Sequence, residues 1–208
     1  QPHSLISPPW QLTGDGYIFI FRFSRNERSA FFSDKRPVDG ISVLMLVNYS
    51  QSPVGPYEEL LLIPGKITNG KKSGYSISHI HVSTDISTIN GKKHWGIPKE
   101  TSRFDRQSLE GKVKTIIRQK DDRQTEIQTS SYGINVPILT HVLPYPLIQS
   151  FEDKWCSLRP TATGKTKLAT LESYHSDMPG FHLLNEKKPL IGFHATSFIM
   201  KFPAGNWS

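Results

Sequence analysis

Period-two alternation of apolar residues runs through this 208-residue chain, and helical periodicity is almost absent. From Tyr17 to Phe23 the pattern is strict. Tyr17, Phe19, Phe21 and Phe23 face one way and Ile18, Ile20 and Arg22 the other, which is a strand. Gly40 to Tyr49 is a longer β-rich apolar run, a buried strand. Glu58 to Ile63 is another, stopped by Pro64-Gly65. Tyr75 to Ser83 alternates again, with Ile77, His79 and His81 on one face and Ser78, Ile80 and Val82 on the other. Gly111–Arg118 and Arg123–Ser130 predict a hairpin closed by Gln119–Asp122, and Lys165–Tyr174 and Ile191–Phe202 are further strands. One helix is expected over Pro144–Asp153, where the prolines suit a first turn and Leu147, Ile148 and Phe151 share a face. Ser24–Asp39 and Asp177–Lys188 read as loops, the first with a short helical turn, and Asn90-Gly91 reads as a tight turn. Many short strands, with 15 glycines and 15 prolines, predict one mainly β domain with minor α over residues 1–208. Its sheet should close or fold on itself, because open edges invite association.

Composition removes several function classes. Apolar residues make up 36% and charged residues 21%, which fits a globular chain rather than a disordered one. No apolar run approaches the roughly 20 residues that span a bilayer, so no membrane partner is expected. The net charge of +7 is spread over short clusters such as Lys71-Lys72, Lys92-Lys93 and Lys187-Lys188. With no nucleic-acid-binding motif beside them, these read as solvated surface that attracts an anionic substrate at most. Nucleic acid is not an expected partner. Cys156 is the single cysteine, which excludes a disulfide within these residues and favours a reducing, cytoplasmic setting. Sequons at Asn48-Tyr49-Ser50 and Asn206-Trp207-Ser208 fit a secreted protein instead, so the compartment stays open. Gly164-Lys165-Thr166 lacks the earlier glycine of a phosphate loop, since Arg159 stands there, and Gly14-x-Gly16 lacks the third glycine of a dinucleotide site. Cys156 carries no nucleophile signature and reads as a packed thiol.

The chemistry concentrates in Asn90 to Arg106. Lys99 follows Pro98 and the bulky apolar residues Trp95 and Ile97. Pro98 fixes its own φ and pushes Ile97 toward extended geometry, so Lys99 leaves at a set angle beside apolar side chains. A poorly solvated lysine loses part of its preference for the charged form, and an uncharged amine forms a Schiff base with a ketone. Upstream, Val54 to Glu59 reads V-G-P-Y-E-E and leads into the apolar run Leu60 to Ile63. Glu59 suits substrate orientation or proton relay, while Glu58 should point to the opposite face. Tyr57 packs or donates a hydrogen bond. Arg103 and Arg106 stand where they could receive a carboxylate. His79 and His81, two apart on one strand, with His94 nearby, have spacing that suits zinc, but no carboxylate or cysteine completes a set. They are read instead as cavity histidines for proton transfer or as structural ones, and no metal is expected.

Together the two stretches resemble the acetoacetate decarboxylase family. That family carries a glycine-x-tyrosine-x-glutamate segment, a strand, and a glycine-basic turn leading to an apolar residue, proline and the Schiff-base lysine. The matching residues here are Gly55, Tyr57, Glu59, Gly91, Lys92, Ile97, Pro98 and Lys99, within Val54 to Arg106. A tryptophan before I-P-K and R-F-D after it make the chain similar to a fungal branch of the family. The resemblance implies an acetoacetate decarboxylase-like β-barrel with an internal apolar cavity, no cofactor, and often a homo-oligomer. It implies a carbon–carbon lyase in which Lys99 forms a Schiff base with a β-keto acid or a polyketide-type carbonyl compound. Glu59 would be catalytic by that match; taken with the residues singled out above, Tyr57, His79, His81, Trp95, Ile97, Arg103 and Arg106 are expected to line the substrate site. Three positions depart from the pattern. The bacterial family has a second lysine where Glu100 stands, a second glutamate near Leu44 and an arginine near Asp15. A neighbouring cation lowers a lysine pKa and a carboxylate raises it, so Glu100 either faces solvent or keeps Lys99 protonated. The altered surroundings support Schiff-base chemistry more than acetoacetate as substrate. They keep open a Schiff-base aldolase, dehydratase or cyclase of secondary metabolism, and a non-catalytic barrel that binds an apolar small molecule.

Overall fold

The computed structural model describes residues 4–32, 36–38, 40–141 and 146–208. In chain order, the strands are β1 (Trp10–Phe21), β2 (Arg36–Val38), β3 (Ser42–Gln51), β4 (Tyr57–Ile63), β5 (Gly65–Thr68), β6 (Ser73–Ser76), β7 (His79–Val82) and β8 (Lys99–Thr101). They continue with β9 (Arg103–Leu109), β10 (Lys112–Arg118), β11 (Gln124–His141), β12 (Leu147–Phe151), β13 (Lys154–Leu158), β14 (Thr161–Ser176), β15 (Ile191–Phe202) and β16 (Asn206–Trp207). The helices are α1 (Arg25–Ser29) and α2 (Asp85–Trp95), with a 3₁₀ turn at Phe181–Leu184.

Ten strands form one sheet in the order β8-β7-β4-β3-β1-β15-β14-β11-β10-β9, and six form a second in the order β16-β13-β12-β6-β5-β2. The edge strands of the large sheet, β8 and β9, are separated in sequence by Ser102 alone. The sheet therefore curls until its two edges meet at that residue, giving the barrel-like form expected of the chain. Pairing is antiparallel except for β7 with β8 and β6 with β12. The β7–α2–β8 segment is a βαβ crossover, and it delivers Lys99 to the barrel's seam.

Alternate residues of β1, β3 and β4 are buried on both faces. Leu44, Leu46, Leu60 and Leu62 point into the curled sheet with Phe19, Phe21, Ile117, Ile127 and Phe181. Val43, Met45, Val47, Leu61 and Ile63 point outward, under α2 and the smaller sheet, and pack with Trp10, Tyr75, Trp95, Ile97 and Leu147. Burial on both faces explains why β3 reads as a continuous apolar run.

Three local expectations are corrected. Leu147–Phe151 is a strand, not part of a helix, because it fills a place between β6 and β13. A short apolar run does not distinguish the two states by its period. The start of the expected helix, Pro144 and Tyr145, lies outside the described residues. Asn90-Gly91 is no tight turn but lies inside α2. The Tyr75–Ser83 alternation breaks at Ile77–Ser78, where the chain passes from the small sheet to the large one. Ile77 therefore joins Ile80 and Val82 on the outer side, while His79 and His81 turn inward toward Phe181.

Candidate active site

Lys99 opens β8 opposite Ile80 of β7, and its side chain turns back into the core with 4% exposure. Helix α2 shapes its path. A Cβ on Gly91 would come within 2.6 Å of Lys99 Cδ, so the glycine leaves space for the lysine stem. Ser87, one turn earlier on the same helix face, places Oγ 3.0 Å from Lys99 Nζ. Asn90 fixes the helix to the N-terminal segment: its Oδ1 accepts from Ile6 N at 2.8 Å, and its Nδ2 donates to Ser4 O at 3.3 Å. Gly96 ends α2 in the left-handed region, at φ 64°, and frees Ile97-Pro98 to turn into β8.

Period two along β4 brings Tyr57 and Glu59 to the same side and sends Glu58 to the other. Glu59 is 4% exposed, and its Oε2 lies 2.9 Å from Lys99 Nζ. Tyr49, next to Tyr57 across the β3–β4 pair, donates to Glu59 Oε1 at 3.2 Å. The Tyr57 hydroxyl lies 3.5 Å from Lys99 Nζ. The three donors of the ammonium thus meet three oxygens, and both carboxylate oxygens are engaged.

Burial alone would push the Lys99 amine down, as expected of a poorly solvated lysine. The charge and hydrogen bond of Glu59, together with those of Tyr57, more than offset that burial and hold the amine above its ordinary value. The resting site is therefore an ion pair rather than a free neutral amine. Burial raises the Tyr57 hydroxyl to about 12, opposed by the nearby Lys99 charge. Burial also lifts the Tyr49 hydroxyl, and the Glu59 carboxylate lifts it further. Both phenols stay protonated and available as donors.

A cavity of about 70 Å³ adjoins the pair. Its walls include Trp95, Ile97, Leu61, Ile63, Ile77 and Ile80, and among the described residues Lys99, Glu59 and Arg159 are its charged ones. It lies between the outer face of the large sheet and the layer of α2 and the smaller sheet, not inside the barrel. Arg159, exposed on the link between β13 and β14, borders it and has no hydrogen bond or ion pair among the described residues.

The structure thus brings together Lys99, Glu59, Tyr57, Trp95 and Ile97. Four other residues expected at the site stand elsewhere. His81 faces the opposite side of β7, with Nδ1 2.9 Å from Ser102 Oγ. His79 Nδ1 lies 2.9 Å from Ser78 Oγ, and burial lowers the pKa of both rings, that of His81 to about 4. Arg106 is tied to Asp15 at 2.8 Å, and Arg103 is exposed on β9. Glu100 is exposed and its Oε2 accepts from Gln119 at 3.3 Å, so it leaves Lys99 undisturbed. Among the described residues, no three His, Cys, Asp or Glu side chains gather at a metal-binding distance, and no helix is long and apolar enough to cross a membrane. Sequence reasoning missed Ser87, Tyr49 and Arg159. Only Ser87 carried a local signal, its four-residue offset from Gly91, and that signal needs the helix to be known.

Solved structures resemble this one over nearly the whole chain. Acetoacetate decarboxylase from Legionella pneumophila aligns with TM-score 0.74 and 13% identity, covering 97% of this chain and 88% of that one. An acetoacetate decarboxylase-like enzyme from Sphingomonas wittichii aligns with TM-score 0.73 and 12% identity, covering 100% and 96%. The enduracididine biosynthesis enzyme MppR, complexed with pyruvate, aligns with TM-score 0.71 and 13% identity, covering 98% and 91%. At such identities the likeness is one of fold, and the chain has the acetoacetate decarboxylase-like fold. No family model matches the sequence. Protein NEOXANTHIN-DEFICIENT 1 of Arabidopsis thaliana is 26% identical over 121 residues, 56% of this chain and 41% of that protein. Its Solanum lycopersicum namesake is 26% identical over 102 residues, 47% and 35%. The chain spans less than half the length of these relatives.

Proposed function

We propose that the protein is a Schiff-base lyase that decarboxylates a β-keto acid through Lys99. The observation that carries this reading is the Lys99–Glu59 pair, buried at 2.9 Å beside an apolar cavity. Glu59 takes one proton from the Lys99 ammonium, and the Nζ lone pair bonds to the substrate's ketone carbon. Glu59 passes that proton to the carbonyl oxygen, which leaves as water with a second proton from nitrogen. The product is a protonated iminium. Electrons of the C–C bond to the carboxylate then move into an enamine, and carbon dioxide departs. The iminium is the better electron sink because it already carries positive charge where negative charge develops. Protonation of the enamine carbon and hydrolysis release the ketone and restore the amine.

The closed pair answers a difficulty in the chemistry. An amine held above its ordinary pKa is a poor nucleophile in bulk solution, but here the base that frees it is in contact with it. Tyr57 and Ser87 are placed to donate to the developing hydroxyl of the carbinolamine. Borohydride reduction with β-keto acids and ketones should add the reduced ligand's mass to Lys99, and Lys99→Met should abolish the adduct. Intact mass spectrometry showing no adduct across the panel would overturn the reading in favour of a binding protein.

Arg159 favours a second reading, in which the same iminium serves condensation or dehydration. A carboxylate resting on this cavity-lining guanidinium is stabilised as a carboxylate, and that opposes the loss of its charge as carbon dioxide leaves. MppR, of the same fold, has been captured with the condensation product of pyruvate and imidazole 4-carboxaldehyde. Release of carbon dioxide from a trapped β-keto acid separates the two readings.

A further inference from the structure

Beside the Lys99 cavity, on the same face of the large sheet, lies a second hollow of about 110 Å³. Ile18, Val47, Ile138, Ala162, Ala195 and Phe198 help to line it, and among the described residues no charged one borders it. Met45 and Met200 belong to the walls of both hollows, so the two are neighbours across a partition of two methionines. Both methionines are nearly buried, within the same apolar cluster that holds Trp95 and Ile97. An apolar lining of this kind favours an apolar occupant, because filling the hollow removes that surface from water. Methionine is unbranched, with three rotatable bonds, and yields its place more readily than a β-branched residue would.

We propose that the second hollow receives an unbranched apolar chain on the substrate, which reaches it past Met45 and Met200. Resting on the Lys99 reading above, this assigns the substrate class as keto compounds with a medium-length alkyl chain rather than four-carbon ones. The carbonyl carbon sits at Lys99, and the tail lies along the sheet face toward Ala195. The first cavity, at about 70 Å³, has little room for such a tail of its own.

The test is calorimetric titration of the intact protein with 2-alkanones of increasing length, paired with borohydride trapping of the same series. Each added methylene should tighten Kd by about fourfold until the second hollow is full. Ala195→Leu, which fills that hollow without touching the first, should flatten the series beyond the shortest ligands and leave their binding unchanged. Ala162→Leu gives the same readout from another strand, should the first variant fold poorly. Affinity that is flat with chain length in the wild type, or a chain dependence that survives both fillings, would overturn the assignment. Chain-dependent binding without any trapped adduct would keep the chamber and remove the Schiff base, so the two failures are distinguishable.

Discussion

Lys99 and Glu59 hold opposite charges inside an apolar wall, so removing one leaves the other buried without its partner. Lys99→Met alone should therefore destabilise the protein by about 3–5 kcal/mol. Lys99→Met with Glu59→Leu should recover most of that loss, because both charges then leave the core together. Urea unfolding of the two variants against wild type measures the difference, and equal stability of single and double variants would contradict it. At this scale the sequence was informative where chemistry and spacing coincide. The I-P-K triplet picked out Lys99, and period two along β4 separated Glu59 from Glu58. It was uninformative where a contact depends on register between strands. Tyr49 meets Glu59 only because β3 pairs with β4 as it does, and His81 misses the cavity only because the strand breaks at Ile77–Ser78.

Helix α2 is the element that local propensity described worst and the site needs most. Asn90-Gly91 suits a turn, yet both residues are buried in the helix, one holding the N-terminal segment and the other making room for Lys99. Tertiary contact overrides propensity here. Gly91→Ala separates the two roles. The added methyl should favour the helix by about 1 kcal/mol on propensity alone. It must also displace the Lys99 stem, whose Cδ would stand 2.6 Å away. Trapping at Lys99 should fall at least tenfold while the circular dichroism spectrum stays native. Unchanged trapping would mean that the stem moves aside at no cost to the amine. The strand β12 was misread for a related reason: five residues with two buried neighbours, Leu147 and Ile148, fit either state until the edges they fill are known.

For the whole molecule, the mainly β class and most strand positions were legible from alternation. The order of strands was not, because β1 pairs with β15 and the sheet's two edges are consecutive in sequence. Pairings that distant leave no local trace. The seam where those edges meet carries its own pH response. His81 is 3% exposed, packs against Phe181 and is bonded to Ser102, and burial lowers its pKa to about 4. The unfolded chain takes up this proton near the ordinary value of 6.5, while the folded chain resists until about 4. Stability from this group is therefore full above 6.5 and lost as the pH falls toward 4, by up to about 3 kcal/mol. Urea midpoints from pH 7 to pH 4 should show the decline, and His81→Gln should reduce it.

Lys99 stands in a three-residue strand at that join, held to the large sheet along one side only. Short border segments of this kind fray before the interior gives way. The buried Lys99 nitrogen is thus carried by one of the least secured parts of the sheet. A molecule unzipped at the join would lose the Lys99–Glu59 contact while still keeping most of its architecture.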